Sequence, residues 1–569
     1  MGFAAGDSTA LSGSSFLSAK QGPLSGSGYL VLLVYGSAIF LLGQLAPWYL
    51  SKHEVFYSQT AREMLASGNW FVPTLTGRPS LQKPPLIYWS IGLAMALFHS
   101  RSEWVARFPS VVAALFAAMF VADMAARQLS VRIGSFAGLI QLSSLWTIVK
   151  ARQAVPDMIL VAAVAGAMWA FATANVGDSK PSLRNRSLAR VFFLCQGAAL
   201  LVKGPTGAAL TLPPILLFVL IERERRAWRF LLDPLGISIF LAVGVAWPVA
   251  IYHHYPQLLE IWRLENLDRF TGPDGMALDR NSSFAYLADV LWCTAPWTPF
   301  LFAGALAVGR GEFTQRPIWR FLALWFLAGL LQLSFGASKR FQYAMPIFPP
   351  LSILAARGFA WSADQYPLRV GRGTTRALAV SLCVAGIVAV KAALKPEVAT
   401  AASCLVLLAV VGLYLAHQMG QKSRPRMLAS ASFATVGLMA VLGQIFVMPA
   451  YDPNVGKVAF ANLINQQVSG DQPLYAINPL GLHFPYFLEV EFYLDAPLTQ
   501  LEKPADLRKA ILSTASRTGY VLIDPYFANQ LERLGRVDLI QEEADSSRQA
   551  DPIEHLMLMK LTVPADSPG

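Results

Sequence analysis

Residues Ser51 to Lys83, SKHEVFYSQTAREMLASGNWFVPTLTGRPSLQK, decide how the rest of this chain is read. The stretch gathers Lys52, His53, Glu54, Tyr57, Arg62, Glu63, Arg78 and Lys83 between the apolar run Tyr29–Leu50 and the pair Pro84-Pro85. The surrounding chain is 54% hydrophobic and 14% charged, with mean hydropathy +0.44. That balance excludes an ordinary soluble enzyme and indicates a polytopic membrane protein. Ionisable groups beside a bilayer are costly unless they face water or a ligand. The loop is therefore expected to carry function, with later helices returning their ends to it.

Working outward, apolar runs able to span fall near 29–48, 104–126, 132–149, 158–175, 191–202, 205–221, 232–252, 288–308, 318–336, 343–360, 375–393, 399–417 and 428–448. The run 84–99 is ambiguous, since it starts at Pro84-Pro85 and is short for a span. Basic gaps, such as Lys180 to Arg190, Arg223 to Arg229 and Arg369 to Arg376, alternate with other gaps only if 84–99 lies at the interface without crossing. About thirteen spans follow, with the N-terminus inside and the C-terminus outside. The net charge of +11 sits in these gaps, so anionic lipids are the expected partners and nucleic acid is not. Residues 1–27, rich in Ser and Gly, are expected to be a disordered cytoplasmic tail, 28–449 the membrane domain with its first loop at 51–103, and 450–569 a small extracytoplasmic α/β domain. Strands are predicted at Pro473–Ile477, Tyr520–Ile523 and Leu556–Leu561, helices at Ala505–Ser513 and Phe527–Leu534. Cys195, Cys293, Cys383 and Cys404 lie in apolar runs without metal spacing and read as packing residues.

Several polar positions invite two readings. His53-Glu54 is a catalytic pair or a solvated helix exit. Asp157, behind Pro156, is a site carboxylate or a dipole partner in the first turn of a helix. Lys203-Gly204-Pro205 carries a lysine with no acidic neighbour in sequence, which either snorkels or holds phosphate. Lys339-Arg340-Phe341-Gln342-Tyr343 poses the same choice. Glu265 to Phe270 reads as local ion pairing in a mixed-charge loop. His253-His254 could bind metal, but the interfacial reading is preferred, so no metal site is assigned; no cofactor is indicated, and a divalent metal remains the less favoured alternative. No Walker or GxGxxG motif indicates a nucleotide.

In combination, Glu54…Tyr57…Ala61-Arg62-Glu63-Met64-Leu65-Ala66-Ser67-Gly68-Asn69-Trp70, Lys83-Pro84-Pro85, Asp157-Met158, Lys203-Gly204, Glu265…Arg269-Phe270, Ala295-Pro296-Trp297 and Ser338-Lys339…Tyr343 give the chain a resemblance. It resembles the GT-C integral-membrane glycosyltransferases, in particular the bacterial lipid A aminoarabinose transferase family, which is related to protein mannosyltransferases. The resemblance implies an all-α membrane domain with juxtamembrane helices and a periplasmic C-terminal domain, in a bacterial inner membrane. It implies transfer of a sugar from polyprenyl phosphate to a lipid acceptor on the periplasmic face, by a monomer. Carried over by match, Lys83, Lys203, Lys339 and Tyr343 would hold phosphate or line the donor cavity, joined by Arg152 and Tyr57. Asp157 would be the second acidic residue of the site; it is expected to form the catalytic set with Glu54 and with His53, the last at a position that departs from the match, and Glu265 and Arg269 are expected loop or acceptor contacts.

Three positions depart from that family's usual pattern: His53 stands where Asp is usual, Phe56 where Arg is usual and Gln82 where Glu is frequent. Displacement at an anomeric carbon expels a lipid phosphate, which lysines in a low-dielectric cavity would stabilise. A phosphate acceptor needs no base; a hydroxyl acceptor does, and His53 is a side chain able to serve near neutral pH. The alternative expectation is a GT-C-like protein that binds a polyprenyl-linked lipid without transfer.

Overall fold

Long apolar stretches become helices in the computed structural model of the chain, which describes residues 21–46, 48–177, 183–268, 285–336, 339–365, 425–447, 449, 452, 454–468, 472–477, 487–542 and 556–564. In chain order the first helices are α1 (Gly26–Ser37), α2 (Lys52–Ser67), α3 (Leu86–Phe98), α4 (Glu103–Gln128), α5 (Val131–Ser143), α6 (Leu145–Ala151), α7 (Asp157–Asn175), α8 (Leu183–Lys203), α9 (Thr206–Glu222), α10 (Arg226–Leu231) and α11 (Pro234–Phe240). Among the described residues five helical stretches are long and apolar enough to cross a membrane, or six if the bent pair Tyr286–Cys293 and Thr298–Gln315 is one span. The expected spans 375–393 and 399–417, with Cys383 and Cys404, lie outside the described residues. Helix α3 has 13 residues, about 20 Å at 1.5 Å each, which is short of a hydrocarbon core.

The chain divides into two compact units. The first comprises residues 1–43, 110–151 and 156–443. Its helix α7 is rich in Ala and buried along most of its length, which lets α8 pack closely against it. Helix α8 stops where Gly204 takes the left-handed conformation, φ 66°, and Pro205 starts α9 at once. A glycine after the last turn and a proline at the next start satisfy the two ends without a longer loop. Elsewhere the helices Thr298–Gln315 and Pro349–Asp364 cross at Gly358, where an added Cβ would lie 2.1 Å from the Phe300 carbonyl oxygen. Small residues at such a crossing let backbones touch. Beside it Trp297, Phe300, Phe359 and Phe433 form an aromatic core, and the Trp297 indole donates to Ser143 Oγ at 3.1 Å.

The second unit comprises residues 44–109, 152–155 and 444–569. The first polar loop thus packs with the C-terminal segment, a partition that the composition shift at 450 does not indicate. Its sheet runs in the order β4-β3-β5-β7-β6, with β3 (Leu474–Ile477), β4 (Leu498–Leu501), β5 (Thr518–Ile523), β6 (Arg536–Glu542) and β7 (Met557–Thr562). Strands β3, β4 and β5 are parallel, and β7 runs antiparallel to β5 and β6. The expected strands appear as β3, β5 and β7, and the expected helices as Pro504–Leu512 and Pro525–Glu532. Strands β4 and β6 are not legible in the sequence, because Leu498–Leu501 and residues 536–541 are mixed in polarity and half-exposed or exposed. Arg62 of α2 donates to the carbonyls of Phe492 (3.1 Å) and Leu494 (3.2 Å), and Tyr493 Oη accepts from the Leu50 N–H at 2.9 Å. A short hairpin, β1 (Thr74–Leu75) with β2 (Arg78–Pro79), turns at Thr76-Gly77 over the Glu63 carboxylate, which accepts both turn N–H groups at 2.7 and 3.1 Å.

Candidate functional site

In the first unit the site begins with Asp157, the first residue of α7 and 7% exposed. A carboxylate in the first turn suits the helix dipole, but here it has closer partners. Its Oδ1 accepts from Lys203 Nζ at 2.7 Å, and its Oδ2 lies 3.5 Å from Lys150 Nζ. Lys203 ends α8, where the glycine-proline stop fixes its position. The lysine that has no acidic neighbour in sequence thus has one in space, 46 residues away.

Aromatic faces complete the setting. Lys203 Nζ sits 4.9 Å from the Tyr343 ring centroid. Lys150 Nζ lies 5.5 Å from the Trp146 ring and 5.9 Å from that of Phe341, whose rings meet edge to face at 4.2 Å. Ammonium groups over ring faces are attracted by the ring quadrupole, more strongly when desolvated. Lys339, 6% exposed, donates to the Gly336 carbonyl oxygen at 2.8 Å. One carboxylate faces two ammonium groups, so the cluster of Asp157, Lys150 and Lys203 keeps a net positive charge. It can hold an anion and stabilise negative charge that grows on one.

Asp157, Lys203, Lys339 and Tyr343 are site residues expected from the sequence; Lys150 and Phe341 stand beside such residues there without a site role, and Trp146 does not stand out. The local signal for Lys150 is a lysine at the end of an apolar run with Trp146 one turn before it, whereas Phe341 reaches it only in space. Gly204 is near the π-helical turn Arg263–Asp268: an added Cβ there would meet the Asn266 amide at 3.6 Å. Glu265 lies half-buried in that same segment. Arg269 lies outside the described residues. Among the described residues no group of three or more His, Cys, Asp or Glu side chains gathers as a metal site.

The second unit carries Glu54, His53, Tyr57, Lys83 and Arg152. Glu54 is buried and caps its own helix: its Oε2 accepts from the Ser51 N–H at 3.0 Å and from Ser51 Oγ at 2.9 Å. This is the returning half of a capping box. Its Oε1 accepts from Arg107 Nε at 2.8 Å and from the Ala154 N–H at 3.0 Å. Burial raises the Glu54 pKa, but the Arg107 guanidinium and the converging N–H groups outweigh it and hold the carboxyl below its usual range. Arg107, fully buried, also donates to the carbonyls of Trp48 (2.7 Å) and Tyr49 (3.1 Å). The sequence reading missed it, although an arginine inside an apolar run is itself a signal. Arg152 is also buried, and burial with the Arg107 charge pushes its pKa down to about 10, which leaves it charged at neutral pH.

Phe56, where the resembled family usually has Arg, is buried against Tyr57 (5.0 Å between centroids) and Tyr88 (6.3 Å). His53 is exposed on α2, and Lys83 and Gln82 are half-buried ahead of α3.

The dolichyl-phosphate-mannose-protein mannosyltransferase family matches residues 82–252. The undecaprenyl phosphate-alpha-4-amino-4-deoxy-L-arabinose arabinosyl transferase of Edwardsiella ictaluri (strain 93-146) is 30% identical over 310 residues, covering 53% of this chain and 54% of that protein. The match therefore spans about half the length of that curated relative. The crystal structure of ArnT from Cupriavidus metallidurans in the apo state superposes with TM-score 0.74 at 20% identity, covering 94% of this chain and 98% of that one. The same protein bound to undecaprenyl phosphate gives TM-score 0.73 at 20% identity, with the same coverage. The chain shares the overall fold of these two structures.

Proposed function

We propose that the chain is a polyprenyl-phosphate-dependent glycosyltransferase of the bacterial inner membrane, acting on a lipid A-like or other periplasmic acceptor. The observation that carries this reading is the Asp157 cluster: a buried carboxylate between Lys150 and Lys203, walled by Trp146, Phe341 and Tyr343. Transfer breaks the bond between the anomeric carbon and the phosphate oxygen, and the polyprenyl phosphate leaves with its electron pair. Lys203 and Lys150 supply fixed positive charge where that negative charge grows, in surroundings of low dielectric. Asp157 keeps both ammonium groups in place and offsets the cost of burying them. An acceptor phosphate is already ionised and attacks directly; an acceptor hydroxyl passes its proton to a base. Support comes from the relatives named as aminoarabinose transferases and from a fold shared with a protein crystallised with undecaprenyl phosphate. Thirteen spans, with the N-terminus inside, would leave the loops of Asp157, Lys203 and Lys339 on the periplasmic face.

The purified full chain, given a polyprenyl-phosphate sugar and a lipid acceptor, is expected to form product. Asp157→Asn should lower turnover by about 100-fold or more, and Lys203→Ala should weaken donor binding about ten-fold. Full turnover in Asp157→Asn, or unchanged donor affinity in Lys203→Ala, would overturn these roles. One observation favours a second reading, binding without transfer: in the first loop Glu54 is saturated by structural partners and Phe56 is packed in an aromatic cluster. Retention of a polyprenyl-linked lipid with no product from any sugar donor would select it.

A further inference from the structure

The end of α7 and α8 opposite to Asp157 and Lys203 is also charged, and no step above uses it. Helix α7 has 19 residues, about 28 Å of helix, so the two ends of the pair are a hydrocarbon thickness apart. At the far end a cavity of about 620 Å³ opens between the last turn of α7, the first turns of α8, and α10. Its charged lining is Arg186, Arg190, Arg226 and Arg229 against Glu224 and Asp233.

The two carboxylates are already engaged by backbone. Asp233 Oδ2 caps α11 by accepting from the Gly236 N–H at 2.8 Å, and Glu224 Oε1 accepts from the Arg226 N–H at 3.3 Å. Arg186, Arg190 and Arg229 form no ion pair among the described residues, and Arg190 Nε is shielded from solvent with no hydrogen-bond acceptor there. A buried donor without an acceptor costs stability, more so on a charged group. Guanidinium forks that converge on one cavity match the geometry of phosphate oxygens. The flanking stretch Arg223–Arg229 is one of the basic gaps that face the cytoplasmic leaflet in the proposed topology, where anionic headgroups are abundant.

We propose that this cavity binds a phosphate-bearing anion, with Arg190 and Arg229 donating to its oxygens. The chemistry is shared by two sources, the headgroup of an anionic phospholipid and a free phosphate, and the test separates them. The full chain, delipidated in a neutral detergent, is titrated with phosphatidylglycerol, phosphatidylcholine and inorganic phosphate, with Tm and bound phospholipid by native mass spectrometry as readouts. Phosphatidylglycerol is expected to raise Tm and co-purify, and phosphatidylcholine to do neither. If inorganic phosphate gives the same shift with the same sensitivity to variants, the site takes the free ion. The pair Arg190→Gln with Arg229→Gln should weaken binding roughly ten-fold or more. Arg310→Gln, an exposed arginine outside the cavity, should not change it. Should the double variant fail to fold, Arg186→Glu, on an exposed lining residue, supplies the same reading by reversing one charge. No shift from either anion, or a shift equal in wild type, Arg186→Glu and the double variant, would overturn the proposal.

Discussion

Two buried carboxylates illustrate how one residue type serves two ends. Asp157 faces two ammonium groups that a flexible ligand could share. Glu54 has every oxygen committed, to Arg107, to Ser51 and to the Ala154 N–H. The difference lies in the partner: a guanidinium with three outlets locks a structural junction, whereas two separate ammonium groups over aromatic faces meet one carboxylate. Removing Arg107 would strand a buried negative charge. Arg107→Ala is therefore expected to cost about 3–5 kcal/mol, read by denaturant titration of the detergent-solubilised protein. Adding Glu54→Gln should recover part of that loss. A single variant as stable as wild type would contradict the structural role.

At the scale of elements, two contacts make predictions of their own. The Gly358 crossing has no room for a side chain, because the Phe300 carbonyl occupies the position of its Cβ. Gly358→Ala should cost about 1–3 kcal/mol and lower Tm, while Gly309→Ala in the same pair of helices, with open space around it, should lack the steric clash and show only left-handed strain. The contact of α2 with the short helix Leu488–Glu491 is expected to respond to pH through Glu491. Glu491 accepts from Gln59 Nε2 at 3.2 Å, while its second oxygen is buried without a hydrogen-bond partner among the described residues. Burial first, and the Glu63 charge second, push its pKa up to about 8, with Arg62 opposing. The unfolded chain loses this proton near the ordinary Glu value and the folded chain holds it to about 8. Between those values the native state binds more protons, so this carboxyl's contribution falls as pH rises and levels off above about 8. Glu491→Gln should flatten the decline of Tm across pH 5 to 8, with its largest gain at the alkaline end. An unaltered slope would show that Glu491 titrates normally.

For the whole molecule the testable quantity is topology. A reporter fused after Gln421 should be cytoplasmic and one after Gln467 periplasmic, since the basic gaps alternate only if α3 does not cross. A cytoplasmic reporter after Gln467 would mean that α3 spans or that another span has been miscounted.

The amino-acid sequence by itself determined the membrane class, most helix positions and the polar loops, because hydrophobicity and helix punctuation are local properties of the chain. It also brought out Glu54, Asp157 and Lys203, whose charges stand out against apolar neighbours. It could not determine their partners. Lys203 meets Asp157 across 46 positions, and Arg107 meets Glu54 across 53. Arg62 reaches carbonyls more than 400 positions away, which ties the first loop to the C-terminal segment. Such pairings depend on which helices pack side by side, and periodicity along one helix carries no record of its neighbour. Only the tertiary structure decided that Glu54 is a sealed junction and that Asp157 sits in a cationic cluster. Burial and partner geometry, rather than residue type, set what each carboxylate can do.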